Sequence, residues 1–280
     1  MNKVIKKILE HMGMQPSEDF PDGMFIQEEP DMGVTVESSG LSVYLEARTQ
    51  ETLTRYLAAI FGVDDRTNGG WVLCLANKKR IPSMDQGPAG IADLNFEQTD
   101  LMWVPRIVAE ATPEAPQIIP YCFMIDSKGN TLVYERAGTE KRLFGKTSVG
   151  WGGHISLYED SGSNIKELIQ SCIYRELKEE LFMDDPESMN IMPLYCWYQN
   201  DTELNAVHLC VAYIVTYLKP LKVHRNDESK NILKVPVREL MQDADGDTSR
   251  FEAWSEVMLK YIRKHAFPKS LEQAFGPEEK

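Results

Sequence analysis

Residues 165–181 follow the apolar and polar pattern of an amphipathic helix, but the last turns break that pattern. At about 100° per residue, one stripe is apolar and carries Ile165, Leu168, Ile169, Cys172 and Ile173. The same stripe continues with three carboxylates, Glu176, Glu179 and Glu180. Carboxylates on a core-facing side repel one another and resist desolvation unless a cation or a proton compensates their charge. The pattern therefore predicts a helix whose carboxyl-terminal half holds a cation.

The pattern in the rest of the chain predicts both strands and helices. Two apolar runs, 118–125 and 131–135, flank the turn residues 127–130 and predict a β-hairpin. A strand at 146–151 then leads to the glutamate-bearing helix. Further strands are predicted at 33–37, 41–45, 71–76, 189–198 and 207–216, and further helices at 1–11, 49–61, 235–241 and 250–264. The fold class predicted from this order is α+β.

A proline-containing segment, 110–117, is the best candidate for a domain boundary. We therefore expect an α+β amino-terminal domain at 1–112, a second domain at 113–245 that contains the glutamate-bearing helix, and a carboxyl-terminal helix and tail at 246–280 that pack on the second domain. The amino-terminal unit contains no motif. Three roles stay open for it, namely capping a site, forming a homodimer, or binding a partner.

A glycine-rich turn precedes the helix, and together the two features carry a recognisable spacing. Gly152, Gly153 and His154 follow the strand 146–151, and the helix contains Arg175-Glu176-Leu177-Lys178-Glu179-Glu180. This arrangement resembles the Nudix hydrolase motif, in which glycine, five residues, glutamate and seven residues precede Arg-Glu-apolar-x-Glu-Glu-x-Gly. With Glu167 as the first glutamate, the chain departs from the pattern twice: thirteen residues separate it from Gly153, and Phe182 replaces the last glycine.

The two departures have structural consequences. The eight additional residues, in the stretch 156–164, are interpreted as a polar loop, with Ser163 or Asn164 as the N-cap of the helix. Because glycine normally supplies a left-handed C-terminal cap, Phe182 leaves Asp184-Asp185-Pro186 as the expected stop. We therefore expect the loop after the helix to leave the course usual in the family.

The resemblance implies an α/β/α sandwich with a mixed sheet and hydrolysis of a diphosphate linkage in a nucleotide substrate, with Mg²⁺ or Mn²⁺ as cofactor. A divalent ion can bridge phosphate oxygens and acidify a bound water. The implied metal ligands are Glu176, Glu179, Glu180 and the Gly152 carbonyl. Glu176, Glu180 and Arg175 are the implied catalytic residues, with Arg175 orienting a carboxylate and Glu167 as its partner or as a group behind the ligands.

Other residues are weaker candidates for the same site. The run 140–155 also resembles a bacterial and phage Nudix subgroup described as MutT-type predicted phosphoesterases. Within it, Arg142, Lys146 and His154 are candidates for phosphate binding, although a solvated basic stretch and a structural histidine are the alternatives. Asp201 or Glu203 could supply an additional acid, against an interpretation as plain turn residues. The aromatic residues Tyr121, Tyr134 and Trp151 could stack on a base, although core packing is the more frequent role of such residues.

Composition limits the classes of binding partner and the cellular compartment that we expect for this protein. The formal charge of −13 argues against nucleic acid or an anionic membrane as the main partner. Five cysteines without CxxC spacing indicate reduced core residues in a cytoplasmic protein. No apolar run reaches the length of a membrane span, and the first eleven residues interleave lysines with apolar residues, unlike a signal peptide.

Two further functions stay open at this level. The chain could be a Nudix-derived nucleotide-binding or regulatory module without hydrolysis, which Phe182 and the insertion would favour. It could also be an acidic interaction protein whose glutamates bind no metal. The retained glutamates favour the hydrolase over both alternatives.

Overall fold

The protein's structure is a computed structural model. It describes residues 25–28, 33–38, 41–46, 70–76, 78–84, 87–90, 96, 100–110, 112–136, 145–157, 159, 164–223, 229–243, 246 and 248–265. The helices predicted at 1–11 and 49–61 lie outside these residues, as does Arg142.

A small antiparallel sheet precedes the rest of the fold. Strands β1 (Phe25–Glu28), β2 (Gly33–Ser38) and β3 (Leu41–Glu46) lie in that order, with β2 in the centre. Val34 pairs with Leu45 across the second interface. The strands predicted at 33–37 and 41–45 are therefore confirmed.

The remaining elements follow from β4 to β13. The strands are β4 (Trp71–Leu75), β5 (Ala89–Gly90), β6 (Leu101–Pro105), β7 (Gln117–Asp126), β8 (Asn130–Arg136), β9 (Thr147–Ser148), β10 (Gly150–Trp151), β11 (Met189–Trp197), β12 (His208–Tyr217) and β13 (Ser229–Pro236). The described helices, numbered here in order, are α1 (Arg106–Ala109), α2 (Ile165–Leu181), α3 (Glu203–Ala206), α4 (Val237–Asp243) and α5 (Ala253–His265).

A seven-stranded mixed sheet forms the centre of the molecule. Its main order is β5-β11-β12-β7-β4-β6, and β10 also pairs with β7. The central pair, β12 and β7, is parallel, whereas the other pairs are antiparallel. Strand β7 is buried along its full length, as expected for a strand covered on both faces.

The turn of the predicted hairpin at 118–135 is confirmed, but the pairing of its two strands is wrong. A tight turn joins β7 and β8, and Gly129 takes a left-handed φ of 74° there. However, β8 belongs to a second sheet with the order β13-β8-β9. The strand predicted at 146–151 changes sheets in the same way, because Thr147–Ser148 pairs with β8 and Gly150–Trp151 pairs with β7. The sequence also placed a helix at 235–241, where β13 runs to Pro236 before α4 begins.

Helices α2 and α5 cover opposite faces of the central sheet. Cys122 and Met124 of β7 pack in one core cluster with apolar residues of α2. The alternate residues Tyr121 and Phe123 pack in another cluster with apolar residues of α5. The predicted α+β sandwich with a mixed sheet is therefore confirmed. All five cysteines are free and buried, as expected.

Strands from before residue 112 belong to this central sheet. Strand β4 pairs with β6 and, through Cys74, with Gln117 of β7. The amide of Leu73 also donates to the Ile155 carbonyl, and the amide of Leu157 donates to the Trp71 carbonyl. These hydrogen bonds attach residues 155–157, which follow the double glycine, to strand β4. The division at residues 112 and 245 stays a prediction, but the sheet continues across residue 112.

Candidate active site

Helix α2 is capped at both ends by residues of the motif region. Asn164 is its N-cap, and the Asn164 side chain accepts hydrogen bonds from the amides of Lys166 and Glu167. At the other end Phe182 takes the left-handed conformation, with φ 55° and ψ 34°, and its amide donates to the Lys178 carbonyl. The expected stop at Asp184-Asp185-Pro186 is therefore wrong. Phe182 instead adopts the backbone conformation that glycine usually supplies at a helix C-terminus.

The glutamates of α2 differ in their exposure to solvent. The Glu176 side chain is 13% exposed, whereas that of Glu179 is 60% exposed. Glu180 is half-buried, and its Oε2 atom is shielded from solvent. The expectation that all three face the core is wrong for Glu179. The three carboxylates run from the core to the surface along one side of the helix.

Arg175 connects the carboxylates to the glycine-rich turn. Its Nη1 donates to Glu176 Oε1 at 2.7 Å and to Glu179 Oε2 at 3.0 Å. Its Nη2 donates to the His154 carbonyl at 2.8 Å. Its Nε donates to Glu159 Oε1, also at 2.8 Å. One guanidinium group therefore fixes the loop and the helix relative to each other.

The buried partner of Arg175 is Glu159, which the sequence interpretation missed. Its side chain is only 5% exposed. Glu167, which the sequence suggested for this role, lies exposed in the first turn of α2. A buried carboxylate needs a charged or hydrogen-bonding partner, and the Arg175 guanidinium supplies both. The assignment of the partner role to Glu167 is corrected accordingly.

The double glycine allows backbone and carboxylate to approach each other closely. A Cβ atom on Gly153 would lie 2.3 Å from Glu176 Oε1, and one on Gly152 would lie 2.0 Å from the Pro120 carbonyl oxygen. A side chain at Gly152 would therefore displace the backbone of the turn or of β7, and one at Gly153 would displace the Glu176 carboxylate. Glycine at these two positions therefore avoids steric overlap with Glu176 and with β7.

Burial dominates the electrostatics of Glu176. It raises the pKa of this carboxyl above its ordinary value, and the nearby Glu179 and Glu159 carboxylates add to the increase. Arg175 opposes the shift through its charge and its hydrogen bond. Because burial prevails over Arg175, an additional positive charge near Glu176 would stabilise the ionised form.

Two of the weaker candidates, Lys146 and Asp201, have hydrogen-bond partners away from the glutamates of α2. Lys146 is exposed, and its Nζ donates to the Ser249 carbonyl at 2.7 Å. Asp201 is exposed and accepts a hydrogen bond from the Asn205 side chain, while Glu203 begins the short helix α3. The interpretation as core aromatics is confirmed for Tyr121, Tyr134 and Trp151, which are all buried.

His154 belongs to a separate group of metal-binding residue types. Its carbonyl accepts from Arg175, but its ring lies beside Glu110 and His208, with 3.9 Å between His154 Nε2 and Glu110 Oε1. Burial, followed by the charges of Arg106, His208 and Arg175, holds the pKa of His154 well below its ordinary value. The ring is therefore neutral near pH 7, and its contact with Glu110 is not an ion pair. The three residues are distant in sequence and without regular spacing, so pattern analysis could not bring them together.

Comparison with known proteins identifies the fold. No protein-family model matches the chain. Protein YmaB of Bacillus subtilis is 29% identical over 157 residues, which make up 55% of this chain and 74% of YmaB. The crystal structure of Tm1382, described as a Nudix hydrolase, covers 69% of this chain and 98% of its own, with 20% identity and a TM-score of 0.51. This chain has the Nudix fold. The Nudix domain of Shewanella oneidensis NrtR, solved with ADP ribose, covers 52% of this chain and 86% of its own, with 13% identity and a TM-score of 0.40.

Within the Nudix fold, Glu159 also restores the spacing of the first half of the motif. Residues 154–158, five in number, separate Gly153 from Glu159, as the Nudix pattern requires. Residues 160–174 then separate Glu159 from Arg175, which is fifteen where the pattern has seven. With Glu159 as the first glutamate of the pattern, the eight additional residues follow that glutamate and do not precede it.

Proposed function

We propose that this chain is a Mg²⁺-dependent Nudix hydrolase that cleaves a diphosphate linkage in a nucleoside diphosphate derivative or a related nucleotide. The observation that carries the proposal is the network around Arg175. It joins Glu159, Glu176, Glu179 and the His154 carbonyl through four hydrogen bonds of 2.7–3.0 Å. A preorganised set of carboxylates is what a catalytic magnesium site needs.

The residues present fit a magnesium ion. Oxygen donors from carboxylates and backbone carbonyls are the ligands that Mg²⁺ prefers. Glu176 and Glu179 each use one oxygen for Arg175, so Glu176 Oε2 and Glu179 Oε1 lie outside these bonds. Burial raises the pKa of the Glu176 carboxyl although Arg175 lies beside it, so a bound cation would stabilise the ionised form. Glu176, Glu179, Glu180 and the Gly152 carbonyl would hold the ion.

The chain's own groups have distinct tasks in this proposal. When bound, the metal would offset phosphate charge and acidify a water molecule. Arg175 holds the Glu176 and Glu179 carboxylates in one orientation and ties them to the His154 carbonyl. Glu159 keeps the guanidinium in place from the buried side. Glu176 or Glu180 is the group that we expect to accept the proton of the attacking water.

The partners and the compartment follow from the same proposal. A small nucleotide or another diphosphate compound is the expected partner, and the chain's net charge of −13 weighs against nucleic acid. The five free, buried cysteines favour the cytoplasm. In the described part of the chain, no helix has both the length and the apolar character that a membrane span requires. A homodimer stays a prediction.

The test is hydrolysis by the purified full-length protein. It is incubated with Mg²⁺ and a panel of nucleotide sugars, dinucleoside polyphosphates and nucleoside triphosphates, and products are separated by chromatography. We expect turnover of at least one class, with loss in Glu180→Gln and retention in Glu167→Gln, the matched change at an exposed position of the same helix. Turnover by Glu180→Gln equal to that of the wild type would contradict the proposal. Thermal stabilisation by a nucleotide without product would instead favour the binding or regulatory module.

A further inference from the structure

A cluster of one carboxylate and two imidazoles lies next to the double-glycine turn. Glu110 follows α1, His154 follows Gly153, and His208 is the first residue of β12. One ligand atom from each residue lies within 4.8 Å of the other two. We propose that Glu110, His154 and His208 form a second metal site, suited to Zn²⁺ and distinct from the glutamates of α2.

Strand pairing holds His208 in place, and a side-chain hydrogen bond holds the backbone of His154. His208 pairs in register with Gln117 across the parallel strands β12 and β7, and Gln117 Nε2 lies 3.3 Å from His208 Nε2. The backbone of His154 is fixed by the hydrogen bond from Arg175 to its carbonyl. The two rings meet edge to face, with centroids 5.9 Å apart. A site on such elements needs little rearrangement to bind an ion.

Two polar atoms at this cluster are buried without hydrogen bonds. Within the described residues, neither His154 Nε2 nor Gln117 Oε1 has a hydrogen-bond partner, and Gln117 is fully buried. Buried polar atoms without partners are rare in folded proteins, because desolvation then goes uncompensated. A metal ion would give His154 Nε2 the partner that the surrounding protein does not supply. Gln117 would remain behind the ligands and orient His208.

The types of ligand favour zinc over magnesium. Two imidazoles and one carboxylate, with a position left for water, match a ligand set typical of Zn²⁺, whereas Mg²⁺ prefers oxygen donors. Neighbouring ligand atoms in a tetrahedral zinc site lie about 3.3 Å apart. The 3.9 Å between His154 and Glu110 therefore needs only a small closure, and the Glu110 side chain is 39% exposed. Glu110 also contacts Arg106 Nε at 3.3 Å, and the ion would compete with this exposed pair.

The test uses Co²⁺ as a spectroscopic substitute for Zn²⁺. Full-length protein is titrated with Co²⁺ in excess Mg²⁺, which occupies oxygen-rich sites, and the visible absorption of four- or five-coordinate cobalt is followed. We expect one saturable equivalent that added Zn²⁺ displaces. Glu110→Gln should weaken Co²⁺ binding by about tenfold or more, and His154→Asn should do the same. His265→Asn, an exposed histidine at the end of α5, is the matched control and should bind as the wild type does.

Several results would overturn the second site. They are the absence of saturable binding in excess Mg²⁺, equal affinities in Glu110→Gln and His265→Asn, or a thiolate-to-cobalt charge-transfer band, which would place the ion on cysteine. Glu110 is exposed, so its variant remains informative even where a histidine variant fails to fold. Glu176→Gln should still bind Co²⁺, so the outcome does not depend on whether the proposed hydrolase activity is correct.

Discussion

Two buried carboxylate networks lie on opposite faces of the central sheet, and they are built from different partners. On the α2 face, Glu159 and Glu176 are paired with Arg175. On the α5 face, Glu252 Oε1 accepts hydrogen bonds from the hydroxyl groups of Tyr121, Ser255 and Ser148. The first network contains the Arg175 guanidinium group and reaches the surface through Glu179. The second is enclosed by hydroxyl groups, with Glu252 only 8% exposed.

We propose that this difference separates a candidate metal site on the α2 face from a structural support on the α5 face. Tyr121 lies directly under Gly150, where a Cβ atom would be 2.1 Å from its ring, and burial raises the Tyr121 pKa well above its ordinary value. Its protonated hydroxyl therefore serves as a lasting donor to Glu252. In contrast, the exposed Glu179 leaves the Arg175 network open to a ligand. We expect the α2 network to determine activity and the α5 network to determine stability.

The largest predicted effect is on catalysis by Glu176→Gln. The variant keeps the size of the side chain but removes the charge that would hold the metal. We expect kcat/KM to fall by about 100-fold or more, because a bound metal contributes several kcal/mol to transition-state stabilisation. Steady-state kinetics on the best substrate of the panel provide the measurement. A loss smaller than about threefold would remove Glu176 from the catalytic group.

Glu252→Gln is predicted to lower the stability of the fold and to leave catalysis nearly unchanged. The amide places an N–H group among hydroxyl partners that now donate to the carboxylate, so unfolding should become easier by about 1–3 kcal/mol. Turnover per folded molecule should stay within about twofold of the wild type, since this network contacts no candidate ligand. Chemical denaturation and kinetics measure the two quantities, and Glu239→Gln on the exposed side of α4 is the control. Unchanged stability would mean that the Glu252 network is not a support.

Replacing Glu159 and Glu167 in turn tests which of them is the charge partner of Arg175 on the α2 face. Glu159→Gln should lower the free energy of unfolding by about 1–2 kcal/mol, because Arg175 loses its buried charge partner. Glu167→Gln should change it by less than about 0.5 kcal/mol, as expected for an exposed side chain. Urea denaturation of both variants decides the assignment. Equal effects would return Glu167 to the role that Glu159 has in the structure.

The smallest predicted effect concerns the end of α2. Phe182 is 61% exposed and has a positive φ, which is strained for a residue with a side chain. Phe182→Gly should therefore stabilise the protein by about 0.5–1 kcal/mol. Phe182→Ala keeps the strain and should give no such gain. If alanine stabilises as much as glycine does, loss of the exposed ring and not backbone strain would explain the change.

The sequence was informative where one periodic pattern extends over a whole element. Helix α2 and the strands β7, β11 and β12 follow directly from apolar spacing and from the turns between them, and Asn164 is one of the two N-cap residues that the sequence suggested. The pattern failed where neighbouring strands belong to different sheets, as at β7 and β8, because local spacing does not specify a strand's partner. Strand β13 was missed since its pairing with β8 is long-range.

In the candidate site, too, residues in a local pattern were predicted, and residues brought together by long-range contacts were missed. Arg175 and the three glutamates were predicted from helix spacing and from the family resemblance. Glu159 was missed because it lies in the polar stretch assigned to an insertion, although its five-residue distance from Gly153 was a usable signal. Its burial depends on the contact with Arg175 across the fold. The cluster at Glu110, His154 and His208 depends on three such long-range contacts and has no local pattern.

The central claim, that the open carboxylate network binds the catalytic metal, is tested most directly by calorimetric titration with Mg²⁺. This ion prefers oxygen donors, so the histidine-containing cluster should not contribute to the heat. We predict one or more saturable sites in the wild type and in Glu252→Gln, and loss of saturable binding in Glu176→Gln. Equal Mg²⁺ binding by Glu176→Gln and the wild type would contradict the assignment of the metal site to α2.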